Sequence, residues 1–303
     1  MNSSSFSSRP SRPRRSVLYV PGGNERAIAK ARTLECDAVI FDLEDSVAPD
    51  AKVEARETIA RLLREPLGHG RETVIRINAL STPWGAADLR AARDLAPDAI
   101  LIPKVEDPAD IADIDDALDR TDAPETLRLW AMIETPKGIM NAGQIARASR
   151  TPGGRLDCFV TGTNDIVKET GVAPLPGRPY LSTWLMEIVL AARAYGIEAL
   201  DGVYNDFRDA EGFAAECAQG RAMGFDGKTL IHPGQIEAAN RAFGIDPEKL
   251  AEARGIVEAF ARAENARAGV ISLDGRMVER LHADMAEKLI AKADALAART
   301  SSV

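Results

Sequence analysis

The chain has few residues of the kinds that carry covalent or redox chemistry. Three cysteines, three histidines and three tryptophans are spread over 303 residues, and aromatic residues make up 5%. Cys36, Cys158 and Cys217 show no CxxC spacing and are odd in number, which argues against a disulfide framework or a thiolate metal site. Cys36 and Cys158 sit beside apolar runs and read as buried thiols of a reducing compartment. Without a Ser/His/Asp or Cys/His constellation, a hydrolase with a covalent nucleophile is disfavoured. There is no run of 18 apolar residues and no signal-peptide core, so neither a membrane span nor a secretory leader is expected. Basic charge is also short: 38 Lys and Arg against 46 Asp and Glu give a net charge of −8. That argues against general nucleic-acid binding but leaves room for a local basic site facing an anion. The balance of 45% hydrophobic and 28% charged residues is ordinary for a globular enzyme, and the expected location is cytoplasmic.

The first 15 residues are Ser, Pro and Arg without apolar periodicity, and are expected to form a disordered tail. From Ser16 onward, short β-branched runs alternate with Ala/Arg/Glu-rich amphipathic stretches. The runs cover 17–21, 38–43, 73–77, 99–103, 129–133, 158–161, 199–203 and 228–231; helical stretches include 25–34, 51–63, 108–117, 183–194 and 210–223. Strict alternation implies a parallel sheet, and eight repeats imply closure into a (β/α)8 TIM barrel. An open doubly wound sheet is the alternative. No Gly-rich dinucleotide fingerprint follows the first run: Pro21-Gly22-Gly23-Asn24 lacks GxGxxG spacing. After Pro233 the pattern turns helical over 233–242 and 247–267. A short extended piece follows at 270–273, then an Asp274-Gly275 turn and a last helix from Met277 to about Ala298. The expected division is a tail 1–15, a barrel 16–245, and a C-terminal helical extension 246–303 that caps the barrel or reaches a neighbouring subunit.

Polar residues at the C-terminal ends of barrel strands are the expected catalytic set. They are Asp42, Glu44 and Asp45 after the second run, Arg76 and Asn78 after the third, and Lys104 after the fourth. Glu134 follows the fifth, Asp165 the sixth, Asp206 the seventh and His232 the eighth. Glu134 and Asp165 at one rim, with no Cys or His cluster, read as hard oxygen ligands for Mg2+ rather than Zn2+. Arg76 interrupts an apolar strand, Val74-Ile75-Arg76-Ile77-Asn78, so it needs a partner or a function. Its planar fork suits a carboxylate or a developing enolate oxygen; Glu44 or Asp42 on the neighbouring strand is the structural alternative. His232, before Pro233, reads as a residue bonding backbone rather than a general base. His69 and His282 read as surface residues.

Several stretches match one family. They are Arg15-Ser16-Val17-Leu18-Tyr19-Val20-Pro21-Gly22, Phe41-Asp42-Leu43-Glu44-Asp45-Ser46-Val47, Val74-Ile75-Arg76-Ile77-Asn78, Ile133-Glu134-Thr135-Pro136 and Gly162-Thr163-Asn164-Asp165. Val203-Tyr204-Asn205-Asp206-Phe207 and the run from Gly227 to Ile236 complete the set. In this order they resemble the HpcH/HpaI aldolase superfamily, and within it the citrate lyase β-subunit-like group with malyl-CoA and citramalyl-CoA lyases. The resemblance covers residues 15 to about 298. It implies the (β/α)8 barrel, a Mg2+ ion held by Glu134 and Asp165, and reversible carbon–carbon cleavage of a 3-hydroxyacyl-CoA thioester. It further implies that Arg76 stabilises the enolate. Glu44 and Glu279 are the candidate catalytic carboxylates beside Arg76, and Arg76, Asp42, Arg26 and Lys228 the candidate substrate-binding residues, the last two on the CoA side. Relatives often carry Met-Ile-Asp in a C-terminal segment donated to the next subunit; Met277-Val278-Glu279 stands there in this chain. A homotrimer or homohexamer is the implied assembly.

The competing readings are a citrate lyase β subunit acting on an acyl-carrier-protein thioester, a malyl-CoA thioesterase, and a regulatory protein with a degenerate site. Glu134, Asp165 and Arg76, all present, argue against the last.

Overall fold

The structure, a computed structural model, describes residues 12–300 apart from Pro66, His69, Pro152, Ala266, Arg267 and Asp274. His69, residues 1–11 of the expected tail and Asp274 of the expected turn therefore lie outside the described residues.

Eight parallel strands close into a barrel in chain order: β1 (Ser16–Pro21), β2 (Ala38–Asp42), β3 (Glu72–Arg76), β4 (Ala99–Ile102), β5 (Arg128–Ile133), β6 (Leu156–Thr161), β7 (Glu198–Asp201) and β8 (Gly227–Leu230). Closure is made by β1 pairing with β8, Val17 opposite Thr229. The (β/α)8 reading holds, and the open sheet is excluded.

Between the strands run α1 (Glu25–Ala31), α2 (Lys52–Leu62), α3 (Gly85–Leu95), α4 (Pro108–Asp119), α5 (Pro136–Met140), α6 (Ala142–Arg147), α7 (Thr163–Thr170), α8 (Ser182–Tyr195) and α9 (Ala210–Met223), followed by α10 (Ile236–Ala242). Their starts are written in the sequence. Asn24 accepts the Ala27 N–H, Asp107 and Asp110 form a capping box around Pro108, and Thr135 accepts the Gly138 N–H with Pro136 at the first helical position. The Glu134-Thr135-Pro136 motif is thus a strand end, a cap and a helix start in three residues.

The core has two layers. Outward strand residues such as Phe41, Ile75, Ile100 and Phe159 pack under the helices. A separate interior cluster fills the barrel, with Val17, Ile40, Val74, Leu101, Trp130 and Val160 among its members. Arg14, 5% exposed, belongs to the opposite end from the strand C-termini: it bonds Glu72, Asp157 and Glu198 and lies 4.7 Å from the Trp130 ring. Arg15 bonds Asp37. The expected tail therefore gives way to anchored chain by Arg14, because buried carboxylates hold the two arginines.

By contacts the chain divides into a unit spanning Arg14–Phe243 and a second containing the chain from Gly244 onward. In the latter, α11 (Pro247–Ala261) packs on α12 (Arg280–Thr300), and β9 (Val270–Leu273) pairs antiparallel with β10 (Arg276–Glu279). Phe260, Ile271, Val278 and Ala283 form its small core. The last helix accordingly starts at Arg280 and not at Met277. Residues 276–279 are a strand, since pairing with β9 buries Val278 and turns Met277 and Glu279 outward. The helix expected over 247–267 ends at Ala261.

Candidate active site

Alternation along the strands decides which side chains reach the barrel mouth. Ile40, Val74, Met132 and Val160 face the interior. Two residues further along each chain come Asp42, Arg76, Glu134 and Gly162, so the same parity carries three polar groups and one glycine to the C-terminal mouth. A cavity of about 300 Å³ opens there, lined by Tyr19, Asp42, Arg76, Met132, Asp165 and Ile231 among others.

Asp42 and Arg76 stand in register at the ends of β2 and β3. Nε and Nη2 of Arg76 each donate to one oxygen of Asp42 at 2.6 Å. The backbone N–H groups of Glu44 and Ser46 donate to the same carboxylate. Burial alone would raise the Asp42 pKa, but the guanidinium and these donors hold it below the usual range. Asp42, given as a substrate-binding candidate, is therefore spent on Arg76 and has no oxygen left for a ligand. The Nη1 edge of Arg76 is differently placed. It lies 2.9 Å from Glu44 Oε2 and 3.6 Å from the weakly accepting Met132 sulfur. The Arg76 side chain also sits 5.0 Å from the Tyr19 ring.

Glu134 is 0% exposed. Its Oε1 accepts the Lys104 N–H at 2.8 Å, and its Oε2 has no hydrogen-bond partner. Burial, with Glu44 and Asp165 nearby and Lys104 opposing them, pushes its pKa up to about 8. Gly162 makes the arrangement possible: a Cβ there would lie 2.4 Å from the Glu134 Cβ and 2.5 Å from Oε2. Asp165 stands in the first turn of α7, where the helix dipole favours a carboxylate.

An orphaned, buried carboxylate oxygen is costly, and a divalent cation beside it removes that cost. Among the described residues no group of three or more His, Cys, Asp or Glu could hold a metal. The unpartnered Glu134 Oε2 and the Asp165 carboxylate fit an ion content with two carboxylates and several waters, as Mg2+ is. Glu134 and Asp165 are the residues that would hold it.

Glu44, 7% exposed, bonds Lys104 Nζ through Oε1 at 2.5 Å. Burial raises its pKa, with Arg76 and Lys104 acting the other way. Arg26 is exposed in the first turn of α1, just beyond β1.

Lys228 is not brought to the mouth. It occupies the second position of β8, between neighbours of opposite parity: Thr229 and Ile231 line the cavity, and Lys228 points out toward α9. Fully buried, its ammonium donates to Asp201 Oδ2, the Gly202 carbonyl and Glu216 Oε1. Its substrate-binding assignment is corrected to a structural one. Asn78 is likewise turned away, bonding Asp88 and the Leu43 carbonyl. His232 caps the turn after β8, accepting the Gly234 N–H, as its sequence context suggested. Asp206 lies in a neighbouring cavity of about 410 Å³ that shares Thr163, Asn164 and Val203 with the first. Glu279 is an exposed residue of the C-terminal unit, at the end of β10. Tyr19, Met132, Thr161 and Thr229 went unnoticed in the sequence; their signal was strand parity, since each sits inside an ordinary β-branched run.

Residues 15–233 match the family described as HpcH/HpaI aldolase/citrate lyase, and the chain belongs to that family. It is 48% identical over 291 residues to (3S)-malyl-CoA thioesterase of Cereibacter sphaeroides (strain KD131 / KCTC 12085), covering 96% of this chain and 98% of that protein. It is 36% identical to the citrate lyase subunit beta of Escherichia coli (strain K12), over 97% of this chain and 98% of that one. Among solved structures, CitE from Mycobacterium tuberculosis in complex with magnesium, acetoacetate and coenzyme A superposes with a TM-score of 0.73 at 30% identity, covering 94% of this chain and 100% of that chain.

Proposed function

We propose that the chain is a Mg2+-dependent enzyme that cleaves a 3-hydroxyacyl-CoA thioester of malyl-CoA, citramalyl-CoA or citryl-CoA type to an oxoacid and an acyl-CoA. The observation that carries this reading is that Asp165 and an Arg76 clamped by Asp42 line one cavity at the barrel mouth, with the Glu134 carboxylate at the end of β5 within electrostatic reach of Asp165. The magnesium seen with the CitE relative supports the choice of ion. A bound Mg2+ supplies Lewis-acid polarisation of a substrate oxygen. Arg76, locked on two of its edges, would exchange the Nη1 contact with Glu44 Oε2 for the charge that develops on the thioester oxygen as the carbon–carbon bond breaks. A fixed donor in a closed site is most effective there, because it needs no reorganisation. Glu44, held by Lys104 through Oε1 and facing Arg76 through Oε2, is our candidate for the acceptor of the hydroxyl proton. Arg26, on the open rim, suits the anionic CoA moiety.

A second reading is hydrolysis of the thioester to free CoA and the hydroxy acid. The specific observation in its favour is the 48% identity to a protein named malyl-CoA thioesterase, against 36% to the citrate lyase subunit. The same Arg76 edge would serve the oxyanion of that reaction. Incubation of malyl-CoA, citramalyl-CoA and an acyl-carrier-protein thioester with Mg2+ separates the readings. Oxoacid with acyl-CoA marks the lyase, free CoA with hydroxy acid the thioesterase, and preference for the carrier-protein thioester the subunit role. Turnover that survives exhaustive EDTA treatment would remove the metal from any of them.

The same reading includes a homotrimer or homohexamer in which the C-terminal unit brings Glu279 to a neighbouring subunit's site. It is supported by exposed Met277, Leu281 and Met285 on that unit. A cytoplasmic location is supported by three buried free thiols and by the absence, among the described residues, of a helix long and apolar enough to cross a membrane.

A further inference from the structure

Lys104 follows β4 with φ +50, in the left-handed region that residues with a side chain rarely occupy. The other non-glycine residues in this conformation among those described are Ala96, Asp122 and Arg178; Lys104 alone touches the Glu134 carboxylate. Strain of this kind persists where surrounding contacts demand it, and here they are two carboxylates. The backbone N–H of Lys104 donates to Glu134 Oε1 at 2.8 Å, while its ammonium donates to Glu44 Oε1 at 2.5 Å. One residue thereby holds one oxygen of each acid. The second oxygen of Glu134 has no partner, and that of Glu44 lies against Arg76 Nη1.

We infer that Lys104 is a positioning residue that acts through both acids: its left-handed backbone holds Glu134 Oε1 so that Oε2 stays open to the cation, and its ammonium shares the Glu44 carboxylate with Arg76, so that Arg76 Nη1 can give up Glu44 to the substrate. The inference rests on the metal and Arg76 roles proposed above. The Glu44 and Glu134 carboxylates repel each other, and the ammonium offsets that repulsion. Removing it leaves a more negative site. A cation should then bind more tightly while turnover slows, because Glu44, no longer shared with the ammonium, stays on Arg76 Nη1, which it already faces at 2.9 Å. A residue that merely supports the fold would weaken both properties together.

The test uses the full-length protein. Magnesium chloride is titrated into wild type, Lys104→Met and Lys104→Arg by calorimetry without substrate, and kcat and KM are measured on the thioester that the product panel selects. In Lys104→Met the Mg2+ Kd should tighten, on the order of tenfold for one removed charge at this range. Its kcat should fall by at least a similar factor, and Lys104→Arg should restore both toward wild type. Wild-type values of Kd and kcat in Lys104→Met overturn the inference, as does a parallel loss of affinity and turnover. The backbone half is read from melting temperatures. Lys104→Gly should melt above Lys104→Ala, since glycine adopts positive φ without strain; the reverse order overturns it. A wild type that takes up no Mg2+ counts against the metal reading, and the Lys104 ammonium is then judged on the kcat of the Met and Arg variants. If no thioester is turned over, the calorimetric arm still decides.

Discussion

Asp42 and Arg76 face each other across adjacent strands, and both oxygens of the one receive both lateral donors of the other at 2.6 Å. The pair is buried, so it is rigid, and the one guanidinium edge that Asp42 does not take, Nη1, faces Glu44 Oε2 at 2.9 Å. Arg76→Lys removes the fork but keeps the charge. The expected result is a fall in kcat of about 10²–10³ with KM changed far less. A variant that loses thermal stability but keeps wild-type kcat per folded molecule would reduce Arg76 to a structural ion pair.

Gly162 tests the cradle for Glu134. In Gly162→Ala the new Cβ falls 2.4 Å from the Glu134 Cβ, so the carboxylate must move. Mg2+ uptake, followed by calorimetry, should drop at least as far as in Asp165→Asn, while far-ultraviolet circular dichroism stays that of the wild type. Unchanged affinity would place the cation elsewhere.

The pKa of Glu134 sets a pH dependence. Burial first, then Glu44 and Asp165, lift it from 4.5 to about 8 against the pull of Lys104. The metal-free native state thus holds a proton that the unfolded chain has released. Stability of the metal-free protein should fall as pH rises from about 4.5 to about 8. A cation needs the ionised form, so its apparent affinity should climb over the approach to pH 8 and then level. Calorimetry at pH 7 in two buffers of different ionisation heat should show close to one proton released per Mg2+ bound; no release would contradict the shift.

Lys228 tests the corrected assignment. Lys228→Met leaves Asp201 and Glu216 short of a buried partner and should cost about 3–5 kcal/mol in urea unfolding. KM for the thioester should stay within twofold for the folded protein. A raised KM with undiminished stability would return Lys228 to the substrate.

The role of Glu279 is read by mixing. Glu134→Gln and Glu279→Ala proteins, each inactive alone, should regain activity after subunit exchange verified by mass spectrometry, because some mixed sites carry both wild-type groups. Verified exchange without activity would end the shared-site reading, and a fully active Glu279→Ala protein would take this residue out of the mechanism.

Much of this molecule could be read from local pattern. Eight β-branched runs separated by amphipathic helices dictate a closed parallel barrel, because each strand must bury two faces and each helix one stripe. The Glu134-Thr135-Pro136 step announces a strand end and a helix start through backbone chemistry alone. Arg76 inside an apolar run signals its own need for a partner, and Asp42 supplies it. Other features depend on which face of each strand the closed barrel turns inward. Lys228 and Thr229 are adjacent in sequence, yet only Thr229 lines the cavity, because β1–β8 pairing fixes the rotation of β8. Residues 276–279 are a strand only because β9 is there to pair with them. The left-handed turn at Lys104 arises where two carboxylates from other segments converge on one residue. The sequence by itself determined the periods and the order of the elements, since these follow from local sterics and burial. Tertiary structure decided which charges are spent on each other and which stay open to a ligand, since that depends on distances between side chains far apart in the chain.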